Sequence, residues 1–174
     1  MTTATTDQQT ATRTYNDQLT LYHPTTKGTG AAVRLQPSMR ADDARGRCFF
    51  LEMAAQQSAA AGNGGERRHA SFDWENKITV KLGFSDICEF LAVLEGKAAS
   101  TGKNGKGLYH RNGDTNTLIR LERHETGGFA VSLSRKRNAD EQPTRAWTVL
   151  SEAEAIGIRS ILSVGLSFMY APNQ

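Results

Sequence analysis

The side chains best suited to holding a metal or attacking a substrate are few here. The chain has four His and two Cys in 174 residues. His23, His69, His110 and His124 show no HxxxH spacing, and no CxxC occurs, so the spacings that grip zinc are missing. There is no GxSxG nucleophile elbow and no GxxxxGK[ST] phosphate loop. Gly102–Gly107 (GKNGKG) is basic and glycine-rich, but it opens a strand pattern rather than a helix, which argues against phosphate cradling. No two acids are spaced for acid–base work. The expectation is a protein with no catalytic residue, no metal and no cofactor, and not an enzyme. Cys48 and Cys88 both sit inside apolar patterns and read as buried, reduced thiols.

Cations and aromatics offer a different chemistry. Arg34, Lys81 and Arg120 fall at outward positions of alternating strands. Lys97, Lys103, Lys106 and Arg111 form a run with no acid among them, Arg135-Lys136-Arg137 closes another strand, and Arg67-Arg68 adds a pair. Tyr22, Tyr109, Phe72, Trp74 and Trp147 lie among them. A basic sheet carrying rings suits single-stranded nucleic acid: phosphates meet cations while bases stack, each stack contributing ~1–3 kcal/mol. A double helix offers no free base faces. Taken singly, each aromatic reads more readily as core and each charge run as a solvated loop. The combination marks Tyr22, Arg34, Trp74, Lys81, Lys103, Lys106, Tyr109 and Arg120 as candidate contacts.

Strands must position these residues. Period-two alternation turns Val33 and Leu35 to one side of AAVRLQ, and Phe49, Leu51 and Met53 to one side of RCFFLEM. ITVKL buries Ile78, Val80 and Leu82; TLIRLE buries Ile119 and Leu121; FAVSLS buries Phe129, Val131 and Leu133; Arg145–Leu150 completes the set. Two segments switch to helical spacing. One has Ser85 as its expected cap, Asp86 in its first turn, then Ile87, Phe90, Leu91 and Leu94. The other opens on a Ser151–Glu154 capping box and continues through Ile158, Ile161 and Leu162. Gln57–Ala70 and Ala98–Gly107 read as flexible loops, Asn138–Thr144 as a turn, and residues 1–14 as a disordered tail.

The chain then matches itself. Leu21-Tyr22-His23 recurs as Leu108-Tyr109-His110, and each triplet precedes a strand with an outward arginine, Arg34 or Arg120. The helical patterns are set closer together than the triplets by about the length of Gln57–Ala70, which reads as an insertion in the first half. The fold expected is α+β: one domain over 15–174, made of two antiparallel four-stranded sheets, each followed by a helix, with repeats near 18–97 and 105–170. His23 and His110, at matching positions, read as a repeated structural pair. From Ala155 to Met169 the only charge is Arg159, so the second helix is apolar nearly all round. Small residues at Gly157, Ser160, Ser163 and Gly165 would admit close neighbours, and a homo-oligomer with central helices is predicted. The bland alternative is a helix covered within its own monomer.

Composition sets the outer bounds. Hydrophobic residues make up 38% and charged residues 22%, ordinary for a soluble globule. No run approaches the ~18 apolar residues of a membrane span, so no membrane partner is expected. The start MTTATTDQQT has no basic and apolar signal pattern, and with the reduced thiols this predicts a cytoplasmic location. A net charge of +3 and a pI near 9.0 permit a polyanionic partner without requiring one.

With Phe72-Asp73-Trp74-Glu75-Asn76-Lys77, the strand ITVKL and the helix start Ser85-Asp86-Ile87, the sequence resembles the Whirly family. Lys27-Gly28-Thr29-Gly30-Ala31-Ala32-Val33 is similar to that family's Lys-Gly-Lys-Ala-Ala-Leu segment, departing where Thr29-Gly30 replaces the second lysine with one residue inserted. The likeness spans residues ~18–170 in element order, and kinetoplastid guide-RNA-binding proteins share the layout. The resemblance implies a homotetramer binding single-stranded DNA along its sheets with little sequence preference, in transcription, replication or repair. It adds Lys27 and Lys77 to the contacts and places Arg34 and Trp74 beside the strand. A further departure is that the plant family's transit peptide and acidic tail are not expected here, so organelle targeting does not carry over. The rival expectations are an RNA-binding annealing matchmaker and a scaffold protein that binds no nucleic acid.

Overall fold

Alternating side chains build two sheets, and runs at helical spacing cover them. The computed structural model describes residues 18–38, 47–63 and 66–170, so the tail expected at 1–14 lies outside the described residues. The first half contains β1 (Leu19–His23), β2 (Ala31–Ser38), β3 (Cys48–Ser58), β4 (Ala61–Asn63), β5 (Glu66–Arg68), β6 (Ser71–Phe72), β7 (Ile78–Leu82) and α1 (Phe84–Leu94). A short 3-10 turn, Lys103–Gly105, leads into β8 (Leu108–Asn112), β9 (Thr115–Arg123), β10 (Phe129–Arg137), β11 (Thr144–Leu150) and α2 (Glu152–Tyr170). The first sheet runs β1-β2-β3, with β7 and the short β6 both on the far edge of β3; the second runs β8-β9-β10-β11. All pairings are antiparallel. The duplicated α+β architecture is as the pattern predicts.

Register follows burial, because a one-residue slip would turn every apolar side chain outward. Leu35, Leu51 and Val80 form one inward row, and Val33, Met53 and Ile78 the next. Ile119, Leu133 and Ala146 do the same in the second half. These residues, with Ile87, Phe90, Val93 and Leu94 of α1 and Ala155, Ile158, Leu162 and Met169 of α2, make one continuous core.

Four expectations are modified. The Gln57–Ala70 stretch extends β3 to Ser58 and carries the β4–β5 hairpin, because antiparallel pairing satisfies its backbone groups. Ser85 lies inside α1, not at its cap. Gly83 takes the N-cap, since the Asp86 carboxylate reaches back to accept its N–H at 2.9 Å. Cys48 is buried but Cys88 only half-buried. On α2, Gly165 faces its own chain: a Cβ there would stand 2.3 Å from the Phe49 ring. Ile156, Val164 and Phe168 of the same helix are exposed. The Ser151–Glu154 capping box is present, with reciprocal bonds of 2.8 and 3.2 Å.

The repeated histidines cross the halves. His110 of β8 meets Asp86 of α1 at 3.0 Å, and His23 of β1 lies 3.3 Å from Glu154 of α2, misaligned for a hydrogen bond. Each first strand thereby sets its histidine beside the first turn of the other half's helix, against the carboxylate that caps it, and His110 bonds to that carboxylate. Leu-Tyr-His recurs because alternation sends Leu inward, Tyr outward and His toward that helix end.

Candidate nucleic-acid interface

One polar row crosses the outward face of the first sheet. Thr20, Arg34, Glu52 and Thr79 are cross-strand neighbours on β1, β2, β3 and β7. Arg34 donates from Nε to Thr20 Oγ1 at 3.4 Å and from Nη1 to Glu52 Oε2 at 3.3 Å. Thr79 Oγ1 donates to Glu52 Oε1 at 3.2 Å, and Lys77 Nζ reaches the same oxygen at 2.7 Å. Glu52 is 6% exposed, and these partners offset the hydration its carboxylate loses on burial.

Rings cover this row. The Arg34 guanidinium carbon lies 3.9 Å from the Trp74 ring centroid, a cation–π contact. Tyr22 meets Trp74 edge-on at 6.4 Å and tilts against Phe72 at 5.4 Å. Ala32 and Ala54, on the same outward face, have no exposure, and the segment after β6 folds onto this face through Trp74 and Lys77. Its turn is fixed by Asp73, whose carboxylate accepts from the Asn76 side-chain amide at 2.9 Å and backbone N–H at 3.1 Å. The side-chain bond, then the backbone bond, hold the Asp73 carboxyl below its ordinary range.

The second sheet presents the corresponding face open. Tyr109, Leu118, Ser134 and Arg145 form one cross-strand row, and Arg120, Ser132 and Trp147 the next. In register, Ser132 stands where the first half has Glu52, and Trp147 where it has Thr79. Tyr109, Trp147 and Leu118 are 64%, 54% and 38% exposed. The Tyr109 hydroxyl donates to Asn116. Arg120 donates from Nε to the Gly105 carbonyl at 3.1 Å, bracing the turn that carries exposed Lys103 and Lys106. Glu122 lies 3.8 Å from the Arg120 Nε. Exposed Lys136 and Arg145 enter no ion pair among the described residues.

Of the ten sequence candidates, Tyr22, Arg34, Trp74 and Lys77 come together on the first face, and Lys81 is exposed at one end of it. Tyr109, Arg120, Lys103 and Lys106 gather at the second. Lys27 is exposed in the turn between β1 and β2 and joins neither cluster by a contact. Two features were not among the candidates. Trp147 was visible as an aromatic whose alternation in RAWTVL opposes Ala146 and Thr148. Glu52 was visible as the outward residue between Leu51 and Met53, but a reading for cations passes over an acid. Among the described residues no three of His, Cys, Asp and Glu gather as a metal site, and no helix is long and apolar enough to cross a membrane.

No family model matches the sequence, and a search of curated proteins gives no match. Solved structures do match. The WHY3 protein of Arabidopsis thaliana aligns with a TM-score of 0.63 at 16% identity, covering 90% of this chain and 90% of that one. The plant transcriptional regulator PBF-2 gives 0.60 at 17% identity, covering 87% and 81%. A guide-RNA-binding protein complex solved with a guide RNA bound gives 0.57 at 15% identity, covering 88% and 92%. The architecture is therefore the duplicated four-strands-plus-helix class. Within that class the chain has the fold of the Whirly proteins.

Proposed function

We propose that the protein binds single-stranded nucleic acid, and single-stranded DNA in particular, on the outward faces of its sheets, with little sequence preference and without catalysing a reaction. The observation that carries this reading is the open second face, where Tyr109, Trp147 and Leu118 stand exposed beside Lys136 and Arg145, which have no acid partner among the described residues. Rings facing water among cations fit unpaired bases and their phosphates together. The fold match supports the reading. A titration of a labelled oligo-dT strand and its duplex at low salt tests it. The single strand should bind more tightly, with log K falling by roughly 0.7 per phosphate contact against log salt. Equal affinity for both probes, or salt-independent binding, refutes it.

RNA is the second reading, favoured by the match to a complex bound to guide RNA. The faces offer stacking and charge, which both polymers satisfy, so competition between matched DNA and RNA strands decides. The same proposal includes a homo-oligomer, a tetramer, with α2 at its centre. Support comes from exposed Ile156, Val164 and Phe168 beside a groove of about 410 Å³ lined by Pro37, Phe49 and Ile161. Light scattering reporting a monomer at micromolar concentration would remove that part.

A further inference from the structure

Glu52 is an acid set into the middle of a face that is proposed to receive a polyanion. It cannot be a bystander, because two cations of that face touch it: Arg34 at 3.3 Å and Lys77 at 2.7 Å. A strand phosphate competing for either cation would have to displace a carboxylate that is 6% exposed and leave it buried without its partner. The second face has Ser132 at the matching position, and its Lys136 and Arg145 carry no such commitment.

We infer that Glu52 is a built-in counter-charge and positioning residue of the interface. It fixes Arg34 against the Trp74 ring and cancels one of two cations, so the first face holds bases by stacking and meets about one phosphate, while the second face carries most of the charge-dependent contact. This deepens the proposed strand-binding function and rests on it. Two cations and one carboxylate leave the cluster at net +1. Glu52→Gln keeps the shape and an acceptor oxygen and raises the cluster to net +2.

Salt titration of oligo-dT binding reads the difference. Glu52→Gln should bind more tightly at low salt, with the slope of log K against log salt steeper by about 0.7, one single-strand phosphate. The double variant Glu52→Gln/Lys77→Met restores net +1 and should return to the wild-type slope. It also serves if the single variant, with two uncompensated cations, fails to fold. An unchanged slope in Glu52→Gln overturns the inference. So does a double variant about 0.7 shallower than wild type, since both cations would then already meet phosphate.

A second measurement needs no strand. The chain has two tryptophans, so Trp147→Phe leaves Trp74 as the only indole. Iodide should quench Trp74 more strongly in Glu52→Gln and caesium less, because the local charge has become more positive. Quenching that does not change overturns the counter-charge role. A wild-type protein that binds no single strand overturns the functional reading instead, leaving the quenching result to judge Glu52.

Discussion

Trp147→Ala separates binding from folding more cleanly than any other substitution on these faces. The indole is 54% exposed on an open sheet face and pairs across the strand with Ser132. Truncating a strand side chain that is more than half exposed costs about 1 kcal/mol of stability. If a base stacks on the ring, its loss costs ~1–3 kcal/mol of binding, about a 5- to 150-fold weaker dissociation constant. Trp147→Phe keeps a π-face and should recover most of it. Trp74→Ala gives the contrast, since it also removes the ring over Arg34 and the edge-on partner of Tyr22, so folding and binding both suffer. Fluorescence anisotropy of a labelled oligo-dT at low salt, with thermal melts of each variant, gives both quantities. A folded Trp147→Ala protein binding within twofold of wild type would refute stacking at this position, and with it the observation on which the function most depends.

The crossed histidine–carboxylate contacts should show in a double-mutant cycle. His110→Ala should cost about 0.5–1.5 kcal/mol and Asp86→Ala more, since Asp86 also receives the Gly83 N–H. The pair should fall short of additivity by ~0.5–1 kcal/mol in urea melts, and full additivity would deny the contact. Gly30→Ala should destabilise by about 1–3 kcal/mol, because its Cβ would stand 2.0 Å from the His23 carbonyl oxygen. Gly28→Ala, with open space around it and φ +71, should cost only the ~1 kcal/mol of a left-handed alanine; equal melts for the two would contradict the close approach. The lowered pKa of Asp73 means its turn contributes stability above the ordinary value near 3.8 and loses it as pH falls through the lower folded value. Trp74 emission should therefore shift in acid, below about pH 4, and Asp73→Asn should lack that shift.

Most of the fold was legible because both its periods are written in apolar residues. In ITVKL, burial alternates as the sequence does, and α1 buries Ile87, Phe90 and Leu94 where the spacing puts them. The start of α1 was misread because Ser85 is a good cap in isolation, and only the Asp86 side chain shows that the chain turns at Gly83. The hairpin within Gln57–Ala70 escaped because Ala61–Asn63 and Glu66–Arg68 carry no apolar alternation; backbone pairing, not side-chain burial, makes it. On the interface, sequence found the cations and rings but not which cations were spoken for. Lys77 and Lys136 look alike in a composition, yet one lies 2.7 Å from a buried carboxylate and the other faces water. Such pairings join β2, β3 and the loop before β7, and no local window spans them.

The two halves kept their frame and exchanged their surfaces. Leu-Tyr-His and the acid of the helix first turn recur where the halves meet: β1 lies against the cap of α2, and β8 bonds to the cap of α1. The outward positions carry no such mutual constraint, and there the copies part. Ser132 stands where the first half has Glu52, Trp147 where it has Thr79, and exposed Leu118 where it has buried Ala32. One face is partly covered by its own rings and has one of its Arg34 and Lys77 charges cancelled by Glu52; the other is open and carries uncompensated positive charge. A strand lying across both would meet rings already braced by protein on one side and free rings among cations on the other. Its grip should then depend on salt chiefly through Lys136, Arg145, Lys103 and Lys106. Reversing Lys136 and Arg145 together to Glu should therefore abolish low-salt binding, while the folded melt, which rests on the rows beneath, stays where it was.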